Sequence, residues 1–196
     1  MHDLFFSHTW RRDEKGRSTH DRAKKLAEAM RHLGWRVWLD ADDLRAGHID
    51  SALAGGIESS QVFVACLTEE YIRKAHRGLE CGRRDSCAKE WCCAMSRGKA
   101  IVPVVFEDSL LDTSTWPAGA VTLQLAGCMY VDATHDDWNM ISVQLHRMLV
   151  ALPVVPIKFK VRDSGELPPV RSRKPLPRRG VFLSCALPCH RGCVRC

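Results

Sequence analysis

The sequence predicts an α/β fold in which helices cover both faces of a five-stranded parallel sheet. Residues 61–67 and 100–106 are near-continuous apolar runs, a pattern typical of strands that are buried on both faces. Stretches with helical periodicity separate these and the other strand-like segments, so that β and α alternate five times over the first 150 or so residues. This alternation and this length indicate a doubly wound domain of flavodoxin-like size.

The first strand is predicted at residues 3–8, and a charged loop that we expect to be exposed follows at residues 9–18. Ser18 and Asp21 have the spacing of a capping box, which predicts that a helix begins there. Apolar residues then recur at helical spacing, and Gly34 is a suitable stop. The predicted apolar stripe consists of Ala23, Leu26, Ala27, Met30 and Leu33.

The centre of the prediction is a βαβ unit. Residues 35–39 are rich in β-branched and aromatic residues and predict the second strand, which an acidic loop at residues 40–47 follows. A helix and the strand at 61–67 complete the unit, whose crossover should be right-handed. The apolar stripe predicted for this helix consists of Ile49, Ala52, Leu53 and Ile57.

The second half of the domain continues the alternation. Residues 71–84 are basic and contain two glycines, which predicts an irregular segment. A helix starting near Asp85 would bury Ala88, Trp91, Cys92 and Met95 and would leave Glu90 off the apolar stripe. The strand at 100–106 contains Pro103, which argues against a central position because proline cannot donate to the ladder.

Three further elements complete the predicted domain. Residues 107–127 are read as mixed loop and short helix, and residues 127–131 as the fifth strand. Thr134 and Asp137 are predicted to cap the final helix. Its apolar stripe consists of Trp138, Ile141, Leu145, Met148, Leu149 and Leu152.

In sheets of this type, ligands bind outside the carboxyl ends of the strands. Here those ends fall at residues 8–10, 40–47, 68–90 and 107–108. The rule therefore brings Asp40 and Glu90 towards one crevice. His8 is a candidate for contacting a substrate there, although a histidine with satisfied hydrogen bonds at a strand end is the simpler interpretation.

Charge and cysteine content restrict the function classes. Residues 153–196 hold 10 Lys and Arg against 2 Asp and Glu, which leaves 19 against 21 for residues 1–152. The domain is therefore not basic, and we expect no nucleic-acid partner for it. The first residues lack the basic and apolar regions of a signal sequence, and no apolar run approaches the roughly 20 residues that span a bilayer. We therefore expect the ten cysteines to lie in a reducing, cytoplasmic location. Cys66, Cys92, Cys93 and Cys128 are expected to be core residues.

The predicted organisation is a domain at 1–152, a basic, proline-rich and disordered linker at 153–180, and a cysteine-rich tail at 181–196. The tail carries soft metal ligands with no standard zinc spacing, so no metal site is predicted. These weak candidates are Cys189, His190, Cys193 and Cys196, with Cys185 further away. Asp40, Asp42 and Asp43 suggest turn chemistry more than a metal cluster.

Four segments in the right order resemble the TIR (Toll/interleukin-1 receptor/resistance) domain family. They are the first strand at 2–8, the region 34–57 with Leu39-Asp40 and Ala46-Gly47, the pair Lys89-Glu90, and Gly98-Lys99 with 101–104. The resemblance covers about residues 2–152, and the form is closest to TIR proteins of algae and other protists. Receiver domains also have acidic crevices, but they need paired acids where His8-Thr9 stands.

The resemblance implies hydrolysis of NAD⁺ to nicotinamide and ADP-ribose or a cyclic form, with Glu90 as the catalytic carboxylate. NAD⁺ would be a substrate, and no bound cofactor is expected. The implied substrate crevice consists of His8, Thr9, Trp10, Asp40, Gly47, Ile49 and Ser86. This sequence departs from the family at Ser86 and Ile49, where enzymes usually carry aromatic residues, and at His8-Thr9, where an aromatic-Arg pair is usual. Trp10 or Trp91 would then have to supply a stacking face.

The resemblance also implies homotypic assembly with other TIR domains. The implied interface is the BB loop, formed by Asp42, Asp43, Leu44, Arg45, Ala46 and Gly47. A non-catalytic TIR adaptor in innate-immune or cell-death signalling is the alternative function. A nucleoside deoxyribosyltransferase-like enzyme, which shares the fold and a crevice carboxylate, is a more distant one.

Overall fold

The computed structural model of the protein describes residues 1–40, 49–81, 85–125 and 127–153. It contains one parallel sheet in the order β2-β1-β3-β4-β5, which is the flavodoxin-like order. The strands are β1 (Leu4–Ser7), β2 (Val37–Trp38), β3 (Val62–Leu67), β4 (Ala100–Val105) and β5 (Val131–Asp132). The predicted parallel α/β architecture is therefore confirmed.

Two helices cover one face of the sheet. Helix α1 (Thr19–His32) begins where the Ser18 side chain accepts a hydrogen bond from the Asp21 amide, and the chain leaves it through Gly34, whose φ is 92°. Helix α6 (Trp138–Val150) begins at Asp137, whose side chain accepts from the Met140 amide. Asp137 alone caps α6, because Thr134 instead accompanies Asp132 in a separate turn. The predicted stripes of both helices pack against β1, β3 and β4, although Leu33, Trp138, Met148 and Leu152 are only half-buried.

Four helices of the described residues lie on the other face: α2 (Ile49–Ser59), α3 (Glu69–Cys81), α4 (Ser86–Ser96) and α5 (Ala120–Leu125). Short 3₁₀ turns at Asp108–Leu110 and Thr113–Thr115 precede α5, as the mixed character of residues 107–127 predicts. Alternate residues of β3 face opposite layers, with Val64 towards α1 and Phe63 towards α4. This two-sided burial explains the continuous apolar run at 61–67.

Pro103 lies inside the sheet, in β4, which has neighbours on both sides. Phe106 donates its amide to Leu67 of β3, and Val105 accepts from Ala133 on the β5 side. Because backbone groups alternate sides along a strand, Pro103 faces the β5 side. β5 pairs only with Val104 and Val105, so the missing N–H of Pro103 removes no bond of this ladder.

Two segment predictions are wrong. In the segment predicted to be irregular, residues 71–81 are helical, because α3 extends from Glu69 to Cys81 and buries Tyr71, Ile72 and Ala75 at helical spacing. The fifth strand begins at Val131, where the predicted run ends, because Gly127 adopts a φ of 80° and turns the chain before it enters the sheet.

Several side-chain predictions are also corrected. Ile49 is 59% exposed because it is the first residue of α2 and projects beyond the packed face. Cys92, Cys128 and Met95 are exposed and Cys93 is half-buried, and the buried thiols of the described residues are Cys66 and Cys87. The loop at 9–18 is exposed only in part, since Asp13 is buried between Arg17 and Arg22.

Among the described residues, no helix is both long enough and apolar enough to cross a membrane. The predicted linker and the cysteine-rich tail, with Cys189, His190, Cys193 and Cys196, lie outside the described residues. The same holds for the whole BB loop at residues 42–47. The domain boundaries stay predictions.

Candidate active site

A cavity of about 310 Å³ opens at the carboxyl ends of the strands. The end of β1 contributes His8, Thr9 and Trp10, and the end of β2 contributes Asp40. Helices α2, α3 and α4 complete the wall with Ile49, Leu53, Lys74, Asp85, Ser86, Cys87 and Glu90. The cavity thus lies where the strand-end rule predicts a ligand site.

Glu90 is the buried carboxyl group of this cavity and is 8% exposed. The Ser7 hydroxyl, at the end of β1, donates a hydrogen bond of 2.5 Å to Oε2 of Glu90. The hydroxyl of Tyr71 lies 2.8 Å from the same Ser7 oxygen. The Ser7 side chain of β1, which is itself bonded to Tyr71 of α3, therefore holds the carboxyl of Glu90 in position.

Burial raises the pKa of Glu90 to about 8, and the hydrogen bond from Ser7 opposes part of this rise. The negative charges of Asp40 and Asp85 raise the pKa further. Near neutral pH, both the protonated and the ionised forms of Glu90 are therefore populated. Such a group in a cleft is a candidate for catalysis.

Asp40 lies beside the aromatic side chains of Trp10 and His20 at the rim of the cavity. Its Oδ2 accepts a hydrogen bond of 2.9 Å from the indole of Trp10. The Trp10 ring stacks on His20 at a centroid distance of 3.9 Å. Trp10 nevertheless remains 65% exposed, so that it offers a fixed aromatic surface beside the cavity.

His8 lies beneath this rim and is 5% exposed. Its Nε2 is 2.8 Å from Nδ1 of His20 and 3.7 Å from Oδ1 of Asp40. Burial lowers the pKa of His8 to about 4, and the charge of Asp40 opposes this effect. His8 is therefore neutral at physiological pH. The structure satisfies its hydrogen bonding, in agreement with the simpler interpretation of a strand-end histidine.

The structure brings seven sequence-predicted residues to this cavity: His8, Thr9, Trp10, Asp40, Ile49, Ser86 and Glu90. Thr9 is 1% exposed, and its hydroxyl has no hydrogen-bond partner within the described ranges. Gly47 lies outside the described residues, as do the other predicted interface positions, Asp42, Asp43, Leu44, Arg45 and Ala46.

The prediction that Glu90 lies off the buried stripe of its helix is wrong. The buried stripe of α4 contains Cys87, Glu90, Trp91 and Ala94, which are spaced at i, i+3, i+4 and i+7. The stripe is rotated from the predicted one because α4 packs against α2 and α3 as well as the sheet. Of the two candidate stacking residues, Trp91 is in the core at 1% exposure, and Trp10 lines the cavity.

Sequence reasoning missed three polar side chains of the site: Ser7, His20 and Tyr71. Ser7 ends the first strand, and this position already indicated proximity to the crevice. Tyr71 belongs to the segment predicted to be irregular, so its burial and its contact with Ser7 could not be predicted. Nothing in the periodicity of α1 distinguishes His20 from other polar residues near the start of a helix.

Solved TIR structures have a similar fold. The TIR domain of the Toll-related receptor TRR-2 from Hydra magnipapillata superposes with a TM-score of 0.51 at 14% identity, over 76% of this chain and 99% of that one. A TIR-STING receptor from C. gigas, solved with 2′,3′-cGAMP, also gives a TM-score of 0.51, at 12% identity over 80% of this chain and 41% of that one. At these identities the comparisons support the fold alone.

Sequence comparison gives the family. The "NAD(+) hydrolase tir-1" of Caenorhabditis elegans is 33% identical over 89 residues, which are 45% of this chain and only 9% of the relative. The profile of the TIR domain family matches residues 4–147. This match covers all five strands and most of the last helix, and it agrees with the four motifs noted in the sequence. The chain belongs to the TIR domain family.

Proposed function

We propose that this TIR domain cleaves the bond between nicotinamide and ribose in NAD⁺, with Glu90 as the catalytic carboxylate. The observation that carries the proposal is the position of Glu90: a buried carboxyl group, held by Ser7, on the wall of a cavity of about 310 Å³. A cavity of this size lies at the lower end of the range for small-molecule sites.

The chemistry suits an ionised carboxylate in a partly dry site. Cleavage of an N-glycosidic bond develops positive charge on the ribose, in an oxocarbenium-like transition state. An ionised Glu90 would stabilise that charge and accept hydrogen bonds from the ribose hydroxyls. Nicotinamide leaves as a neutral molecule, so that the reaction needs no strong general acid.

Three other groups would position the substrate. Trp10 presents an exposed aromatic face that can stack on a planar ring. The buried hydroxyl of Thr9, which has no hydrogen-bond partner in the described part of the chain, can bond to a polar group of the nucleotide. Asp40 holds Trp10 in place. Trp10 would therefore take over the stacking role that Ser86 and Ile49 cannot fill.

The name of one of the relatives supports this proposal. This relative is called an NAD(+) hydrolase, although this chain spans about a tenth of its length.

We place the activity in the cytoplasm, because Cys66, Cys87, Cys92, Cys93 and Cys128 are free thiols, as expected in a reducing compartment. A nucleoside deoxyribosyltransferase-like enzyme gains no support from the family match.

The test is nicotinamide release from NAD⁺ by the full chain at high protein concentration. We expect release by the parent and by Glu28→Gln, an exposed glutamate on α1, and none by Glu90→Gln. Release by Glu90→Gln at the parental rate would remove Glu90 from the mechanism. No release by any of the three proteins, in samples that self-associate, would favour a non-catalytic adaptor.

The adaptor function rests on a different observation. Ile49 is 59% exposed and lies two residues after Gly47, the last residue of the BB loop, so that an apolar side chain is available close in sequence to the predicted TIR–TIR interface at 42–47. We therefore propose homotypic assembly through this region, with or without turnover. Ile49→Glu should weaken self-association in sedimentation velocity, whereas Glu90→Gln should leave it unchanged. Equal self-association of Ile49→Glu and the parent would contradict the assigned surface.

A further inference from the structure

We propose that His8, His20 and Asp40 form a binding site for a divalent transition-metal ion such as zinc. Nε2 of His8, Nδ1 of His20 and one carboxylate oxygen of Asp40 all lie within 4.8 Å of one another. Two imidazoles and one carboxylate are a ligand set that zinc takes in proteins. The proposed ligands include no residue of the cysteine-rich tail, and the proposal does not depend on the turnover of NAD⁺.

The three donor atoms are close to the arrangement that a tetrahedral ion requires. The two ring nitrogens are 2.8 Å apart, and Oδ1 of Asp40 lies 3.7 Å from His8 and 3.9 Å from His20. Bonds of about 2.0–2.1 Å would hold tetrahedral donors about 3.3–3.4 Å apart. Adjustments of about half an ångström would therefore bring all three donors to the ion.

The surrounding groups hold these side chains as outer partners do in metal sites. The indole N–H of Trp10 donates to Oδ2 of Asp40, which leaves Oδ1 directed towards the two imidazoles. The ring of Trp10 stacks on His20 at a centroid distance of 3.9 Å and restricts the orientation of this second imidazole. Outer contacts of this kind orient ligating histidines.

A metal ion at this position would be open to the cavity. The ion would replace the hydrogen bond between the two rings. His8 and Asp40 line the cavity, and a fourth position on the ion can accept water or another ligand from there.

The experiment measures zinc binding to the full chain by calorimetry, with Zn²⁺ alone as the probe. Cys185, Cys189, Cys193 and Cys196 are replaced by serine in every sample, because thiolates of the tail would bind the same ion. We expect one ion per chain. The affinity should fall at least about 100-fold in His20→Ala and Asp40→Ala, since even loss of an outer partner costs about 10–100-fold.

His32→Ala is the matched control, because His32 is an exposed histidine at the opposite end of the same helix. It should bind zinc like the parent. His20→Phe keeps the aromatic stack on Trp10 while it removes the ligand, and it replaces His20→Ala if that variant melts early. Equal zinc affinity of His20→Phe, Asp40→Ala and His32→Ala would overturn the proposal. Cobalt(II) spectra with thiolate charge-transfer bands would do the same.

Discussion

Ser7 and Glu90 are 83 positions apart in the sequence, and the hydroxyl of the first donates a 2.5 Å hydrogen bond to Oε2 of the second. Ser7 is the last residue of β1, and Glu90 lies in the second turn of α4. The bond thus joins the sheet to the helix at the cavity wall. It also favours the ionised form of Glu90, while burial favours the protonated form.

Ser7→Ala should raise the pKa of Glu90 above its value of about 8, because the lost hydrogen bond lowers that pKa. If turnover needs the ionised carboxylate, the rate of turnover will rise at a higher pH in the variant than in the parent. Nicotinamide release at neutral pH should then fall by about tenfold, the factor that corresponds to 1.4 kcal/mol. The measurement is the pH profile of NAD⁺ turnover for the parent and the variant.

Ser142→Ala provides the comparison for this experiment. Ser142 is also buried, but its hydroxyl donates to the Asn139 carbonyl within α6, on the opposite face of the sheet. Its profile should coincide with that of the parent. A parental profile for Ser7→Ala as well would show that the Ser7 hydrogen bond does not control the ionisation of Glu90.

Glu90→Gln should change how stability depends on pH. The pKa of Glu90 rises from 4.5 to about 8 on folding, so between these values the folded chain keeps a proton that the unfolded chain releases. The stability of the parent therefore falls as the pH rises through this window. The neutral amide of the variant removes this loss. The free energy of unfolding should shift in favour of Glu90→Gln by roughly a few kcal/mol between pH 4.5 and pH 8.

His8 changes the pH dependence of stability in the opposite direction, and it does so equally in the parent and in Glu90→Gln. Its pKa falls from 6.5 to about 4 on folding, so this contribution to stability is lost as the pH drops from 6.5 towards 4. Because His8 is common to both, the difference between the two urea-unfolding curves isolates Glu90. A difference that does not vary with pH would show that the carboxyl has an ordinary pKa in the folded protein.

Gly56→Ala should destabilise the domain by about 1–3 kcal/mol, because an added methyl group would overpack a tight contact. A Cβ at Gly56 would lie 2.6 Å from Cε2 of Trp38, whereas a Cβ at Gly55 would meet no atom within 4 Å. Gly55→Ala should therefore stabilise α2 by up to about 1 kcal/mol through helix propensity. Thermal unfolding of the pair tests the packing of α2 on the sheet, and equal melting temperatures would contradict it.

Arg22→Met should lower the free energy of unfolding by about 3–5 kcal/mol, because it leaves the buried carboxylate of Asp13 with one partner fewer. Arg22 is 3% exposed, pairs with Asp13 and Asp136, and donates to the carbonyls of Phe106 and Ala133 beyond β4 and β5. Arg36→Met is the control. Its ion pair with Asp3 is at the surface and should be worth less than about 1 kcal/mol. Chemical denaturation measures both, and a similar loss in the two variants would contradict this role of Arg22.

Zinc should inhibit nicotinamide release if both proposals hold, because the ion would occupy the cavity beside the substrate. The expected result is inhibition of the tail-serine protein by Zn²⁺ that a chelator reverses. His20→Phe should turn over NAD⁺ and resist the ion. Inhibition of His20→Phe at the same zinc concentration as the parent would place the inhibitory site elsewhere.

The strands could be predicted from the sequence because a strand buried on both faces needs an uninterrupted apolar run. β3 and β4 show this pattern directly. The helix Glu69–Cys81 could not be predicted in the same way, because its basic residues and Gly78 obscure the spacing of Tyr71, Ile72 and Ala75. The tertiary contacts of these residues outweigh the local sequence preference.

The candidate site was predictable only where it follows from topology or from family resemblance. Strand ends placed Asp40 and Glu90 near one another, and the resemblance singled out Glu90. The burial of Glu90 could not be foreseen, because it depends on three neighbouring elements that meet around α4. The contact between His8 and His20 depends on how the loop after β1 folds back, and no periodicity encodes that path.

The exposed indole of Trp10 gives the protein an intrinsic fluorescent probe of the cavity. The chain has six tryptophans, and the other five are buried or half-buried. Collisional quenchers such as acrylamide will therefore reach Trp10 first, and its fluorescence will report on whatever covers the mouth of the cavity. A nucleotide stacked on the indole would shield it, so that occupancy can be followed by emission in solution without a label.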